Sequence, residues 1–427
     1  MLSYMLFFKH RTLMKTWKKI GLGLLAILIV FGIWFYPKYK MLNLTMHLFD
    51  EDQIVSNFRS FDSVWPVAVL EAPENKLAYP KATSIKLPES FQFNGKKYQT
   101  ESFLEDSWTT GFLVIQQDSL VFENYYLGNT QSTRNISWSM AKSVISALMG
   151  IAVHEGYIKS IDETVEVYVP ELKGSAYEGV KIKDVLQMST GVKFNEDYAD
   201  FFSDINRWGR GFAMGNSQDA FAASLDRELE PGTVCHYVSI NTHVLGMILK
   251  RATGKTITAY MQEKLYNPLG MEYDGYWLLD GEQMEMVLGG LNLTLRDFAK
   301  MGTLFLNKGV VQGKQVVPKQ WVEASTHPDA PHVQPSETHF GYGYQWWIPE
   351  SKQGEFMAMG VYGQYIYVNP TTKTVVVKLS ANPKYNDKDY VPSNDFAHLE
   401  LFRAIALSSK SLLEENAAYA AVLEEIK

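Results

Sequence analysis

The longest apolar run in the chain lies near its start. Ile20 to Tyr36 (IGLGLLAILIVFGIWFY) carries no charge, and as a helix it rises about 26 Å, enough for the hydrocarbon core of a bilayer. Trp17, Trp34, Phe35 and Tyr36 stand where interfacial aromatics belong. Lys9, Arg11, Lys15, Lys18 and Lys19 precede the run, whereas Asp50, Glu51 and Asp52 follow Lys38 and Lys40. That asymmetry predicts a cytoplasmic amino terminus and an extracytoplasmic body, either periplasmic or extracellular. Tyr36-Pro37-Lys38-Tyr39 is too bulky for a small-x-small cleavage site, so an uncleaved anchor is favoured over a signal peptide.

A second apolar run has a different character. Val144 to Val153 is apolar or small around most of a helical circumference, which predicts a central, buried helix. Ser137-Trp138-Ser139-Met140-Ala141-Lys142-Ser143 leads into it, with Ser137 as a plausible N-cap. Just upstream, 111–126 reads as two β-rich runs around Gln117-Asp118-Ser119, a hairpin. Residues 41 to about 100 show no strong period and are punctuated by Pro66, Pro73, Pro80 and Pro88, as in an extended lead-in.

From about 155 to 330 the pattern is mostly helical, with breaks at Pro170, Gly191, Pro231-Gly232 and Pro268-Leu-Gly270. Strand-like runs return at Tyr342–Trp347, Glu355–Met359, Tyr365–Val368 and Thr374–Ser380, and a helix is expected from about Asp395 to Leu407. Strands at both ends with helices between predict an α+β fold, an antiparallel sheet built from the two ends around a large helical insertion. The expected organisation is a basic tail (1–19), a transmembrane anchor (20–36), a lead-in packing on the body (37–100), a catalytic domain (101–410) and a C-terminal helical tail (411–427).

Composition narrows the chemistry. The chain of 427 residues is 46% hydrophobic and 20% charged, which is globular and long enough for a large core. A net charge of −7 gives no basic footprint for nucleic acid. A lone cysteine, Cys235, excludes an intrachain disulfide and a Cys-rich metal site, and reads as a packing residue. The histidines show no His-Glu-x-x-His spacing, there is no Gly-x-Ser-x-Gly elbow, and no phosphate-binding glycine loop is present. No cofactor and no metal are expected.

Ser139 and Lys142 are three residues apart, on one face of the expected helix. A serine hydroxyl becomes a nucleophile when a base takes its proton, and a lysine can serve if burial lowers its pKa toward neutrality. Around this pair stands an ordered series: Asp184-Val-Leu-Gln-Met-Ser-Thr-Gly-Val192, Pro231-Gly-Thr-x-x-x-Tyr237, Val244-Leu-Gly246, Asn267-Pro-Leu-Gly270 and Gly290-Leu-Asn-x-Thr-x-Arg-Asp297. With Trp138–Ser143, this series resembles the serine β-lactamase and penicillin-binding-protein superfamily over roughly residues 100–410. The closer resemblance is to its class C-related branch.

Glu196-Asp197-Tyr198, Tyr237-Val238-Ser239 and Gly360-Val-Tyr-Gly-Gln364 lean toward the aminohexanoate-oligomer (nylon-oligomer) hydrolases. The resemblance implies a β-lactamase/transpeptidase-like fold and a serine hydrolase working through an acyl-enzyme. Ser139 would be the nucleophile, Lys142 its base and Tyr237 the group that returns the proton to the leaving group. The N–H groups of Ser139 and Val361 would form the oxyanion hole. Tyr198, Ser239, Gly360 and Tyr362 would line the substrate site.

Two departures bear on substrate. Gly360-Val361-Tyr362 replaces the family's Lys-Thr-Gly or Lys-Ser-Gly triplet, so no cation stands there to grip a carboxylate. Ser239 replaces an amide side chain. An ester or linear amide is therefore expected ahead of a β-lactam or a D-Ala-D-Ala peptide. The rival readings are a cell-wall D,D-peptidase or β-lactamase, and a non-catalytic envelope-binding module.

Overall fold

The computed structural model describes residues 2–408, and the expected tail at 411–427 lies outside them. The chain divides into two units, residues up to His47 and Leu48 onward. In the first, a single helix spans Leu2–Met46. Within it, Trp17–Tyr36 (20 residues) is long and apolar enough to cross a membrane. The helix does not stop where the expected anchor ends but continues past Tyr36.

The second unit is built on a seven-stranded antiparallel sheet. Its strands, in spatial order, are Gly341–Tyr342, Trp347–Ile348, Phe356–Gly360, Gln364–Asn369, Thr374–Ser380, Thr109–Gln116 and Ser119–Tyr125. The two ends of the domain meet where Thr374–Ser380 pairs with Thr109–Gln116. Both of these strands are buried along their whole length, as expected when both faces of a sheet are covered. Phe112, Val114, Val376, Tyr365, Tyr367, Met357 and Met359 share one core with Leu399, Phe402 and Ile405 of the C-terminal helix. The helix Leu295–Leu306 covers the opposite face.

The expected hairpin closes through Gln117 and Asp118, both left-handed (φ 47° and 61°), the geometry that matches strand twist in a two-residue loop. Tyr342–Trp347 is not one strand. Gln345 is left-handed (φ 63°), and the run folds back so that Tyr342 pairs with Trp347.

A smaller four-stranded sheet stands beside the large one. Val67–Leu70 of the lead-in, Gly275–Leu278, Leu291–Leu293 and Asn135–Ile136 lie side by side. The lead-in thus contributes a strand, and the mostly helical insertion contributes two, Gly275–Leu278 and Leu291–Leu293. Val67–Leu70 buries only Leu70 fully, and Leu291–Leu293 buries every residue. Neither has the alternation that betrays a half-buried strand. The strand Asn135–Ile136 runs directly into Ser137, which places the next residues between the small sheet and the central helix Met140–His154.

Candidate active site

The central helix is buried from Met140 to Ala152. Its entry differs from the capped start expected at Ser137. That hydroxyl donates to the carbonyls of Trp138 (2.9 Å) and Gly289 (3.4 Å) instead, and Ser139 occupies the N-cap position. The first turn is tight: the N–H groups of Met140, Ala141 and Lys142 donate to the carbonyls of Ser137, Trp138 and Ser139 at 3.2, 3.1 and 3.1 Å. Such i→i+3 bonding eclipses side chains three apart. Lys142 Nζ accordingly donates to Ser139 Oγ at 2.8 Å.

The lysine is held from three sides. Its Nζ also donates to Ser239 Oγ (3.2 Å) and to the Leu288 carbonyl (2.7 Å). Lys142 is 1% exposed, and burial pushes its pKa down from 10.5 to about 7, against an upward pull from the Glu196 carboxylate. Ser139 is only half-buried, so its hydroxyl is reachable while its neighbour is dry.

Ser239 begins the helix Ser239–Thr253 and is fully buried. Its hydroxyl donates to Glu196 Oε1 at 2.5 Å, and its N–H to Glu196 Oε2 at 3.0 Å. Tyr198 donates to the same Oε1 at 2.8 Å. Glu196 therefore stands behind Lys142 with one hydroxyl between them. Sequence reasoning noticed the Glu196–Tyr198 stretch but gave the carboxylate no task, and the Leu288 carbonyl has no side-chain signature at all.

Tyr237 sits two residues before Ser239. Its phenol has the hydroxyls of Ser139 and Ser239 as hydrogen-bonding neighbours, while burial, then the Glu196 charge, push its pKa far above the ordinary tyrosine range. Lys142 Nζ lies 5.3 Å from the centre of its ring, and Trp347 stacks on the ring at 5.1 Å. The loop that carries it is pinned by the Asp184–Val192 motif: the N–H groups of Gly232 and His236 donate to the carbonyls of Ser189 and Met188, both at 2.7 Å. Asn241, two residues beyond Ser239, takes hydrogen bonds from Tyr177 (3.0 Å) and Thr190 (3.2 Å) and so points its amide oxygen elsewhere. Cys235 is half-buried against Met188, Val333 and Tyr342, and burial raises its thiol to about 11.

The strand Phe356–Gly360 brings the last part of the set. Its end lies against the backbone around Ser139, so that a Cβ on Gly360 would stand 2.6 Å from the Ser137 carbonyl and 3.1 Å from the Ser139 nitrogen. Val361, Tyr362 (φ 63°) and Gly363 (φ 87°) then turn the chain into Gln364–Asn369. Buried Gln364 clamps this turn. Its Nε2 donates to the carbonyls of Val361 (3.4 Å), Tyr362 (3.2 Å) and Ser380 (2.6 Å), and its Oε1 accepts from the Ser380 N–H (3.1 Å). The Ser139 N–H, at the N-cap of its helix, has no intrahelical acceptor. The Tyr362 ring is 4% exposed, enclosed by Trp138, Phe49, Phe58 and Tyr385. Beside Glu196 and Tyr198 opens a cleft of about 670 Å³, walled further by Phe340, Tyr385, Asp395 and Phe396.

A sheet built from both chain ends, with a serine and a buried lysine on the first turn of the central helix, defines a serine hydrolase of the β-lactamase kind. The family model described as Beta-lactamase matches residues 109–399, and the chain belongs to that family. Within it, the chain is 29% identical over 317 residues to a 6-aminohexanoate-dimer hydrolase of Paenarthrobacter ureafaciens, covering 71% of this chain and 81% of the relative. Among solved structures it superposes on a "Putative 6-aminohexanoate-dimer hydrolase from Bacillus anthracis" with TM-score 0.74 and 23% identity, over 86% of this chain and 96% of the other. A D-stereospecific amidohydrolase from a Streptomyces species shares the fold more distantly (TM-score 0.51, 14% identity, 66% and 92% covered).

Proposed function

We propose that this serine hydrolase cleaves an ester or a linear amide through an acyl-enzyme on Ser139, and that its N-terminal helix anchors it to a membrane with the hydrolase body on the extracytoplasmic side. The observation that carries the reading is Lys142 Nζ, buried, near neutrality in pKa and 2.8 Å from Ser139 Oγ. In its neutral form the amine accepts the hydroxyl proton as the serine oxygen bonds to the substrate carbonyl carbon. The N–H groups of Ser139 and Val361 receive the oxyanion. Collapse breaks the bond to the leaving group, which takes a proton from Tyr237, itself reprotonated from Lys142. Water then attacks the acyl-enzyme by the reverse route and frees Ser139.

Tyr198, with Glu196 beneath it, forms one wall of the substrate cleft. Phe340, Tyr385 and Phe396 face it across the cleft. The absence of a cation at Gly360-Val361-Tyr362 supports a substrate without a carboxylate at that end. A short linear amide of the aminohexanoate type is the substrate class suggested by the 6-aminohexanoate-dimer hydrolase relative.

The test is labelling of the full-length protein in detergent with a fluorophosphonate, alongside hydrolysis of p-nitrophenyl butyrate, aminohexanoate oligomers and nitrocefin. Wild type should label and turn over the ester or the linear amide, and Ser139→Ala should do neither. Undiminished labelling of Ser139→Ala would end the proposal, and turnover of nitrocefin alone would move the reading to a β-lactamase.

A further inference from the structure

The two residues that flank the oxyanion donors are both non-glycine residues in the left-handed region. Trp138 (φ 43°) precedes Ser139, and Tyr362 (φ 63°) follows Val361. For bulky side chains this backbone costs about 1–3 kcal/mol each and persists only where the surroundings over-determine it. The torsions matter to the chemistry. The Trp138–Ser139 peptide carries the Ser139 N–H, so the backbone of Trp138 aims it. The Val361 N–H belongs to the Gly360–Val361 peptide, so Tyr362 acts on it only through the turn, where Gln364 holds the Val361 carbonyl.

Three rings upstream of the residues that the family model matches pack against Trp138, and two of them also pack against Tyr362. Phe58, 2% exposed, meets Trp138 edge-on at 5.4 Å (68°) and Tyr362 edge-on at 5.4 Å (79°). Phe49 stacks on Tyr362 at 4.6 Å (13°) and tilts toward Trp138 at 6.0 Å. Phe61 adds an edge contact to Trp138 at 6.3 Å. Trp138 and Tyr362 themselves lie 5.9 Å apart. The Phe58 carbonyl also accepts from the Ile136 N–H at 3.0 Å, tying this segment to the strand that leads into the nucleophile. Phe49, Phe58 and Phe61 all lie upstream of the matched residues 109–399.

We infer that Phe58, assisted by Phe49, is a positioning residue for the oxyanion hole: the segment between the N-terminal helix and the family domain braces the two strained turns against each other and so fixes both donors. This rests on the proposed roles of the Ser139 and Val361 N–H groups. Edge-to-face and offset-stacked pairs of this kind are directional, so the brace sets orientation as well as burying area. Its energetic effect falls on the tetrahedral state, where the donors act, and not on ground-state binding.

The experiment compares wild type, Phe58→Leu and Phe49→Ala as full-length protein in detergent micelles, with p-nitrophenyl butyrate as substrate and an alkyl boronic acid as tetrahedral mimic. Phe58→Leu should lower kcat about 10- to 100-fold with KM within about threefold, since losing one oxyanion donor outright costs about 10²–10³-fold. Boronate affinity should fall in parallel, and the acidic limb of the pH profile should stay in place. Phe49 is 40% exposed, so Phe49→Ala leaves no sealed cavity. It should lower kcat about three- to tenfold with the melting temperature nearly unchanged, and it decides the matter if Phe58→Leu does not fold. Wild-type kcat and boronate affinity in folded Phe49→Ala and Phe58→Leu would overturn the inference, as would losses in melting temperature without a kcat effect. A wild type that neither labels at Ser139 nor turns over ester defeats the proposed function instead, before either variant is made.

Discussion

Ser239 donates its hydroxyl proton to Glu196 at 2.5 Å while accepting a hydrogen bond from Lys142 at 3.2 Å. One side chain thus couples a carboxylate to the amine beside Ser139. The negative charge of Glu196 raises the pKa of Lys142. Glu196→Gln keeps the shape and removes the charge, so the lysine should lose its proton at a lower pH. In the proposed mechanism the neutral amine is the active form, so the acidic limb of kcat/KM against pH should move down by about 0.5–1 pH unit, the scale of a partly screened charge. The same change lowers Tyr237 toward its ordinary value, leaving it protonated at neutral pH. A full pH–rate profile of both proteins checks this, and an unmoved limb counts against the coupling.

In the wild type that limb should lie near pH 7, the value to which burial pushes Lys142. Activity should rise as pH passes through 7 and hold above it, because burial drives Tyr237 the other way, far above the ordinary range. A rate that instead rises only through pH 9–10, as for an unperturbed lysine, would assign the base elsewhere.

Much of this site was legible before the fold. The ordered motifs from Trp138 to Asp297 locate Ser139, Lys142 and Tyr237, and the apolar circumference of Val144–Val153 marks the central helix. What escaped was long-range or backbone in origin. Ser137 looks like a cap only if the helix begins regularly, and the left-handed Trp138 followed by an i→i+3 turn moves the cap position to Ser139. The task of Glu196 depends on a partner 43 positions away. The Leu288 carbonyl and the Gln364 clamp are contacts to main chain, which no pattern of side chains records. Phe58 lies in a stretch without periodicity, so its place between Trp138 and Tyr362 follows from tertiary packing alone.

Gly360 is required by close approach. A methyl group there would sit 2.6 Å from the Ser137 carbonyl and 3.1 Å from the Ser139 nitrogen, both inside van der Waals contact. Gly360→Ala should push the strand off the nucleophile and cost about 10²-fold or more in kcat, as expected when one donor of the hole is displaced. The stability loss should be only about 1–3 kcal/mol, typical of overpacking. Paired kinetics and thermal melts separate the two, and full activity in a folded Gly360→Ala would show that the strand end does not shape the hole.

Asp297, at the end of the motif Gly290–Asp297, ties together four groups around it. Asp297 accepts from the Thr294 hydroxyl (2.8 Å) and from the N–H groups of Glu272 (2.7 Å) and Tyr273 (3.3 Å), and pairs with Lys300 at 3.2 Å. It is fully buried. Asp297→Ala strands these donors and leaves Lys300 with less compensation, which should cost about 3–5 kcal/mol. The surviving folded fraction should keep wild-type KM. Active-site titration with a fluorophosphonate gives rate per folded molecule, and a large drop in that quantity would contradict a structural role.

Lys142 itself sets function against stability. Its pKa is lower in the folded protein than in the unfolded chain, so between about pH 7 and 10.5 the unfolded state binds more protons and stability rises with pH. Below pH 7 the penalty is fully present, of the order of a few kcal/mol. Lys142→Met removes it but also deletes three hydrogen bonds, to Ser139, Ser239 and the Leu288 carbonyl, worth about 1–3 kcal/mol together once water competes. The variant should be inactive yet melt at or above the wild-type temperature at pH 7, with its advantage shrinking steadily toward pH 10 as the wild-type amine no longer needs to shed a proton on folding. Melts of both proteins across that range test the sign directly. A difference between them that is flat with pH would mean that Lys142 is not held neutral by its surroundings, and the proton transfer from Ser139 would need another acceptor.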